Sequence, residues 1–300
     1  MYVITLIANP ERANLSAALV RQTAIKLGIQ DVNWLCENTA CDIFIPSARH
    51  YVEIELIWED LQKQEIDLVV QPVNGRHKKI LLADMDSTMI QQECIDELAF
   101  EAGVGAHVAD ITARAMNGEL DFDEALIERV GLMKGLDSAV IQTVLKTRID
   151  LMPGGAELLA TMKANGAYTA LVSGGFTDFT QAIAVKLGFD ENRANTLLHK
   201  NGSLTGKVEM PILGREAKVE ALNQITTKLG LSVDDVIAVG DGANDLGMLT
   251  LAGRGVALHA KPVVAAQCDV RLNFADLTGL LYVQGYKKSD FVFPNTVSES

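Results

Sequence analysis

Two hydrophobic periods divide the chain. In its first quarter, residues 2–8, 32–36, 42–46 and 66–71 are short apolar or β-branched runs, the signature of strands. Residues 15–27 and 51–64 carry apolar side chains at helical spacing, and the first of these stretches closes on Gly28, a residue suited to a helix C-terminus. The predicted order β-α-β-β-α-β is that of a ferredoxin-like α+β unit over residues 1–72. The stretch 72–79, Pro-Val-Asn-Gly-Arg-His-Lys-Lys, is polar with an Asn-Gly turn signal and is expected to be a linker.

Beyond the linker the pattern changes. Residues 80–83 are a continuous apolar run ending in charge, as expected of a strand buried on both faces, and similar runs stand at 168–172, 236–239 and 255–258. Helical patterns at 156–164 and 217–228 separate them, so residues 79–290 are expected to form a doubly wound, mostly parallel α/β sheet. Between the first two runs, stretches 92–103, 108–116, 123–134 and 138–147 are helical. This is too long for a plain connection and predicts a helical insertion above the sheet at about 92–150. Residues 197–208, centred on Asn201-Gly202-Ser203, read as a small β-hairpin.

Composition then narrows the function. Of 300 residues 48% are hydrophobic and 22% charged, ordinary for a folded chain. The net charge of −13 argues against nucleic acid as a partner, because phosphate neutralisation needs Lys and Arg, but leaves room for a small anion where a few cations converge. Cys36, Cys41, Cys94 and Cys268 form no Cys-x-x-Cys pair, so free thiols are expected rather than a zinc site or disulfides. The N-terminus lacks a basic signal-peptide region and no run approaches a membrane span, so a cytoplasmic protein without a membrane partner is expected.

Ligands of open α/β sheets sit beyond the carboxyl ends of the strands. Three predicted strand ends carry polar strings: Asp84-Met-Asp86-Ser-Thr88, Ser173-Gly174-Gly175 and Gly240-Asp241-Gly-Ala-Asn244-Asp245. Asp84 and Asp86, two apart, share a face where the strand ends, so one can attack while the other handles a proton. With Asp241 and Asp245 nearby, the carboxylates call for a hard cation, and an all-oxygen ligand set suits Mg2+. Ser173-Gly174-Gly175, at a predicted helix start, offers a hydroxyl and backbone N–H groups to a phosphate. Lys218, opening the helix after the hairpin, can add positive charge to a phosphoryl oxygen. Singly, these features also read as an acidic turn, a strand-to-helix turn and a surface lysine; their order along the chain favours the chemical reading.

These motifs, in this order, resemble those of the haloacid dehalogenase-type phosphohydrolases. Residues 84–98, 111–131 and 240–249 are similar to members of that family that hydrolyse phosphoserine. The resemblance implies an enzyme that converts O-phospho-L-serine to L-serine and phosphate, the last step of serine biosynthesis. Asp84 would be the nucleophile, forming an aspartyl-phosphate, and Asp86 the general acid and base. Mg2+ would be held by Asp84, the Asp86 carbonyl and Asp241, with Asp245 as a direct ligand or a support. Ser173, the Gly174 amide, Lys218 and Asn244 would hold and orient the phosphoryl group. In the insertion, the family's cap, Glu93 would take the substrate ammonium and Arg129 its carboxylate, with Arg114 the other candidate arginine. Met116 and Phe122 would line an apolar wall or belong to the core. The N-terminal unit resembles an ACT domain, implying an effector site, a homodimer contact or a structural role; its loop 9–15 lacks the glycine usual where such domains grip an amino acid. Two rival activities are a phosphotransferase to another alcohol and a catalytically silent amino-acid sensor.

Overall fold

The computed structural model describes residues 1–47, 51–116 and 119–294, without the side chains of residues 51–53 and 116. The first sheet is built from β1 (Tyr2–Ala8), β2 (Val32–Cys36), β3 (Ala40–Ile45) and β4 (Ile66–Pro72), with helices Ala17–Lys26 and Tyr51–Gln62 between them. All its pairs are antiparallel, in the order β2-β3-β1-β4. Each βαβ crossover is thus split by a strand of the other, the ferredoxin-like arrangement. Helix Ala17–Lys26 starts where Ser16 Oγ accepts the Leu19 N–H at 3.2 Å, satisfying one of the free donors of the first turn.

The sheet is buried on both faces, which explains why the β1 run is hydrophobic except at Thr5. Ile4, Leu6 and Ala8 pack with Val20, Ala24 and Leu61 of the two helices. Ile7, from the other face, joins Leu35, Ala40 and Val69 in the core of the second unit. The polar stretch between the units is not a loose linker. Arg76 is 8% exposed and its guanidinium grips both oxygens of Asp42 at 2.8 and 3.1 Å, Thr5 Oγ1 at 3.1 Å and the carbonyls of Tyr282 and Val283. Nothing near Arg76 in sequence signals this, because its partners lie far away along the chain.

The second sheet contains β5 (Ile80–Ala83), β6 (Tyr168–Phe176), β7 (Glu191–Asn195), β10 (Val236–Gly240), β11 (Arg254–Leu258) and β12 (Val270–Leu272). Its order is β12-β11-β10-β5-β6-β7, all parallel. Leu81, Leu171 and Val239 face one buried layer, Leu82, Val172 and Ala238 the other. The hairpin β8 (Leu197–Lys200) and β9 (Ser203–Val208) stands apart. The edge strands β7 and β12 escape the hydrophobic pattern because one reads Glu-Asn-Arg-Ala-Asn and the other is three residues long. From β5 the chain moves outward through β6 and β7, then returns to build the other side from β10, so the switch point lies beside β5.

Helices Cys94–Glu101, Gly105–Met116, Phe122–Gly131 and Ala139–Thr147 form the insertion after β5. The segments entering and leaving it pair with each other: Gln91 N–H donates to Asp150 O at 3.0 Å and Met152 N–H to Met89 O at 2.9 Å. All four cysteines are free, and no helix among the described residues is long and apolar enough to cross a membrane.

The Arg76 tie is testable. Arg76→Ala leaves the Asp42 carboxylate buried without its cation and is expected to lower the unfolding free energy by about 3–5 kcal/mol. A urea midpoint equal to that of the parent protein would show that the tie contributes nothing.

Candidate active site

The site forms where β5, β6 and β10 end. Asp84 directly follows β5, and its N–H donates to Val239 O of β10 at 3.0 Å, which fixes it beside the next strand. The chain then turns tightly: Thr88, Met89 and Ile90 all donate to Met85 O, and Ser87 adopts the left-handed region with φ 55°. A non-glycine residue there is uncommon and marks a constrained turn. The turn places Asp86 under the start of helix Cys94–Glu101, where its Oδ1 accepts the Cys94 N–H at 2.9 Å. Its Oδ2 accepts from Ser173 Oγ at 3.3 Å, which in turn accepts the Gly175 N–H at 2.8 Å.

Ser173, Gly174 and Gly175 lie inside β6, which runs on to Phe176; the next helix begins only at Thr177. The helix start expected at these residues is therefore corrected, and any anion held there meets an extended strand end. The glycines answer to close approach. A Cβ on Gly175 would lie 2.7 Å from Asp86 Oδ2, and one on Gly174 would lie 3.0 Å from the Phe122 ring. Asn195, absent from the sequence reading, is 2% exposed and spans this region. Its Nδ2 donates to Gly174 O and Leu213 O, and its Oδ1 accepts the Leu213 N–H. It sits in the polar β7 string, and only its burial distinguishes it.

Lys218 is 1% exposed, with Nζ 2.7 Å from Asp84 Oδ1 and 2.5 Å from Asp245 Oδ1. Burial alone would push this ammonium down; Asp245 and Asp84 hold it above its ordinary value. Burial and the Asp245 charge raise the Asp84 carboxyl well above the usual range, with Lys218 opposing. Asp245 spends its second oxygen on the N–H groups of Asp241 and Gly242. Burial, then Asp245, pushes Asp241 up to about 6, while Thr88 Oγ1 donates to its Oδ1 at 3.4 Å. Asp84, Asp241 and Asp245 each bring an oxygen within 4.8 Å of the others, a cluster that could hold a metal ion. The Asp86 carboxylate points instead to Cys94 and Ser173. Asn244 is half-buried in the one-turn segment Ala243–Asp245.

The insertion brings Glu93 and Arg129 toward the same place. Glu93 accepts from Ser87 Oγ at 2.7 Å, and burial followed by the Asp86 charge pushes it up to about 7. Arg129 is half-buried; burial lowers its guanidinium, while Asp96 and Glu93 oppose that. Arg114 is occupied elsewhere, 3.2 Å from Glu128 and 4.0 Å from Glu119. Phe122 covers Gly174 and Gly214, and the side chain of Met116 lies outside the described residues.

Residues 81–250 match the family model for haloacid dehalogenase-like hydrolase. A phosphoserine phosphatase of Archaeoglobus fulgidus is 42% identical over 226 residues, 75% of this chain and 65% of that protein. The chain spans less than two thirds of the length of the first curated relatives it matches. Among solved structures, a HAD family hydrolase from Salmonella enterica serovar Typhi superposes with a TM-score of 0.83 at 30% identity, over 94% of this chain and 98% of that one. The unliganded probable phosphoserine phosphatase of Vibrio cholerae gives 0.78 at 31% identity, over 95% and 86%.

The packing of Gly175 yields a prediction. Gly175→Ala forces Asp86 or Ser173 aside, and a displacement near 1 Å in a catalytic array costs about 100-fold in rate. Turnover of p-nitrophenyl phosphate should fall by that order with little change in melting temperature. Unchanged turnover would mean that Asp86 can move away without consequence.

Proposed function

The chain belongs to the haloacid dehalogenase-like hydrolases, and from that premise we propose that it is a Mg2+-dependent phosphatase of O-phospho-L-serine. The observation that carries the reading is the contact set of Asp84 and Asp86. One carboxylate is buried against the Lys218 ammonium, and the other meets the Ser173 hydroxyl at the neighbouring strand end. An attacking carboxylate, a proton carrier and a phosphoryl cradle are thereby adjacent.

In the first half-reaction Asp84 attacks phosphorus and the bond to the seryl oxygen breaks. Asp86 gives that oxygen its proton. In the second, Asp86 takes a proton from water, the water oxygen attacks phosphorus, and Asp84 is released with inorganic phosphate. Burial raises the Asp86 carboxyl above its ordinary value, which suits a group that must both carry and surrender a proton. Ser173 Oγ, the Gly174 N–H and Lys218 Nζ hold the phosphoryl oxygens, and Asn244 orients them, so catalysis is chiefly positioning and charge. The donor set is entirely oxygen and lies among carboxyls whose charges oppose one another, which fits a hard cation. Asp84, the Asp86 carbonyl and Asp241 would hold Mg2+, with Asp245, whose oxygens serve Lys218 and two N–H groups, behind them. When bound, the ion supplies positive charge against the phosphoryl oxygens.

Glu93 takes the substrate ammonium and Arg129 its carboxylate. Arg114, tied to Glu128 and Glu119, is the less available arginine. In the same reading residues 79–290 are the catalytic unit, capped at about 92–150 and docked on residues 1–72, in a cytoplasmic enzyme whose thiols are free.

Three measurements test the reading. Asp84→Asn should lower phosphate release from phosphoserine by orders of magnitude and abolish the aspartyl-phosphate. Chelation should abolish release in the parent protein and Mg2+ restore it; full activity after exhaustive chelation would remove the metal from the mechanism. Arg129→Ala should raise KM for phosphoserine about 10- to 100-fold, the value of one charge-assisted pair. It should leave an aryl phosphate nearly unaffected, and equal losses on both substrates would refute its role as carboxylate reader.

A further inference from the structure

Asp67 is a carboxylate with 0% exposure on β4, outside the catalytic unit. It pairs with no cation among the described residues. Its Oδ1 accepts the Asn273 N–H at 2.8 Å, and its Oδ2 accepts those of Phe274 and Ala275 at 3.1 and 2.9 Å. Burial raises its carboxyl to about 6, and these three N–H groups oppose the rise. Two more contacts from the N-terminal unit reach the same segment. Asn9 Nδ2 donates to Phe274 O at 3.0 Å, and Asn273 Nδ2 donates to Gln62 Oε1 at 2.7 Å.

The segment held in this way runs directly into the cap's return hinge. Leu277 N–H donates to Pro153 O at 3.1 Å. Gly154, at φ +79°, packs so closely that a Cβ there would lie 2.6 Å from Thr278 N. Residues 150–152 then pair with residues 89–92 on the entering side of the cap, which follow the catalytic turn. A cavity of about 510 Å³ lies between these parts and is lined by Asn9, Pro153, Asp276, Ser87 and Asp241.

We propose that Asp67 is a positioning residue for the cap: by fixing residues 273–275 it seats the hinge at Pro153 and Gly154, and so sets where the cap's substrate-reading residues stand over the catalytic carboxylates. The other ties between the units do not take this route. Gln71 Nε2 donates to Val283 O at 2.6 Å, and Arg76 grips the carbonyls of Tyr282 and Val283, both beyond the hinge contact. Asp67 and Asn9 act on the hinge, whereas Gln71 only docks one unit on the other.

The inference rests on the phosphoserine reading for its choice of substrate, and hinge dynamics test it without that reading. Asp67→Asn, the milder Asn9→Ala and the docking control Gln71→Leu are compared in the full chain, per folded molecule. The first two should raise KM for phosphoserine about tenfold, as expected when a binding group is displaced, with p-nitrophenyl phosphate kinetics nearly unchanged. Amide exchange at residues 150–155 should accelerate in both. Gln71→Leu should lower the melting temperature alone. If Asp67→Asn does not fold, Asn9→Ala carries the comparison. Unchanged hinge exchange and KM in the folded variants, or the same KM shift in Gln71→Leu, would overturn the inference. Failure of the parent protein to hydrolyse phosphoserine would overturn the substrate reading, and hinge exchange would still decide this one.

Discussion

Carboxylates crowded at the ends of parallel strands repel one another, and in this protein a single buried ammonium sets how they can be arranged. Lys218 stands between Asp84 and Asp245 with almost no exposure. A buried charge is tolerable only when it is paired and hydrogen-bonded. Asp245 meets that condition fully, because it spends its free oxygen on two backbone N–H groups, whereas the Asp84 carboxylate rests on Lys218. The balance is incomplete, because Asp84 and Asp241 both remain raised by burial and by the Asp245 charge. Two carboxyls held at that cost, with their oxygens converging, are prepared for further positive charge, which is the condition that binding a metal ion and a phosphoryl group together exploits.

The same requirement shapes the fold around the site. Parallel pairing of β5 with β6 and β10 brings three chain segments distant in sequence to one edge. Strands buried on both faces hold that edge rigid. The N-terminal sheet extends this logic, because its second face has no helices of its own and is completed by the core of the catalytic unit. The apolar residues of that face, among them Ile7, Leu35 and Val69, are costly to expose, and their burial presses the units together. The buried polar contacts of Arg76 and Asp67 then specify the register in which they meet.

How much of this was legible from the sequence depended on distance along the chain. The strands at 2–8, 32–36 and 80–83 and the capping insertion follow from local hydrophobic period, and the structure reproduces them. Asp84, Asp86, Asp241 and Asp245 were visible because each sits in a short string at a strand end. What escaped notice depends on partners far away. Arg76 reads as linker because Asp42 and the 282–283 carbonyls lie far from it along the chain, and nothing in the sequence marks the contacts of Asn195 with Gly174 and Leu213. Strand β7 lacked the apolar signal because an edge strand buries little. The two glycines after Ser173 suggested a helix start, but they answer to another demand, the close approach of Asp86 and Phe122 to an extended strand.

That last demand joins the two halves of the site. The proposed phosphoryl cradle includes one backbone N–H, that of Gly174, and backbone can be approached only where side chains are missing. At Gly174 the missing Cβ makes room for the ring of Phe122, which belongs to the cap. At Gly214 the same ring takes the space a Cβ would fill, 3.1 Å away, just before the helix that carries Lys218. One aromatic side chain of the cap thus rests against both glycines, on the strand that carries Ser173 and just before the helix that carries Lys218. Such a contact works only if the cap arrives in one position. A hinge fixed from outside the catalytic unit, through three hydrogen bonds to the buried Asp67 carboxylate, provides that single position.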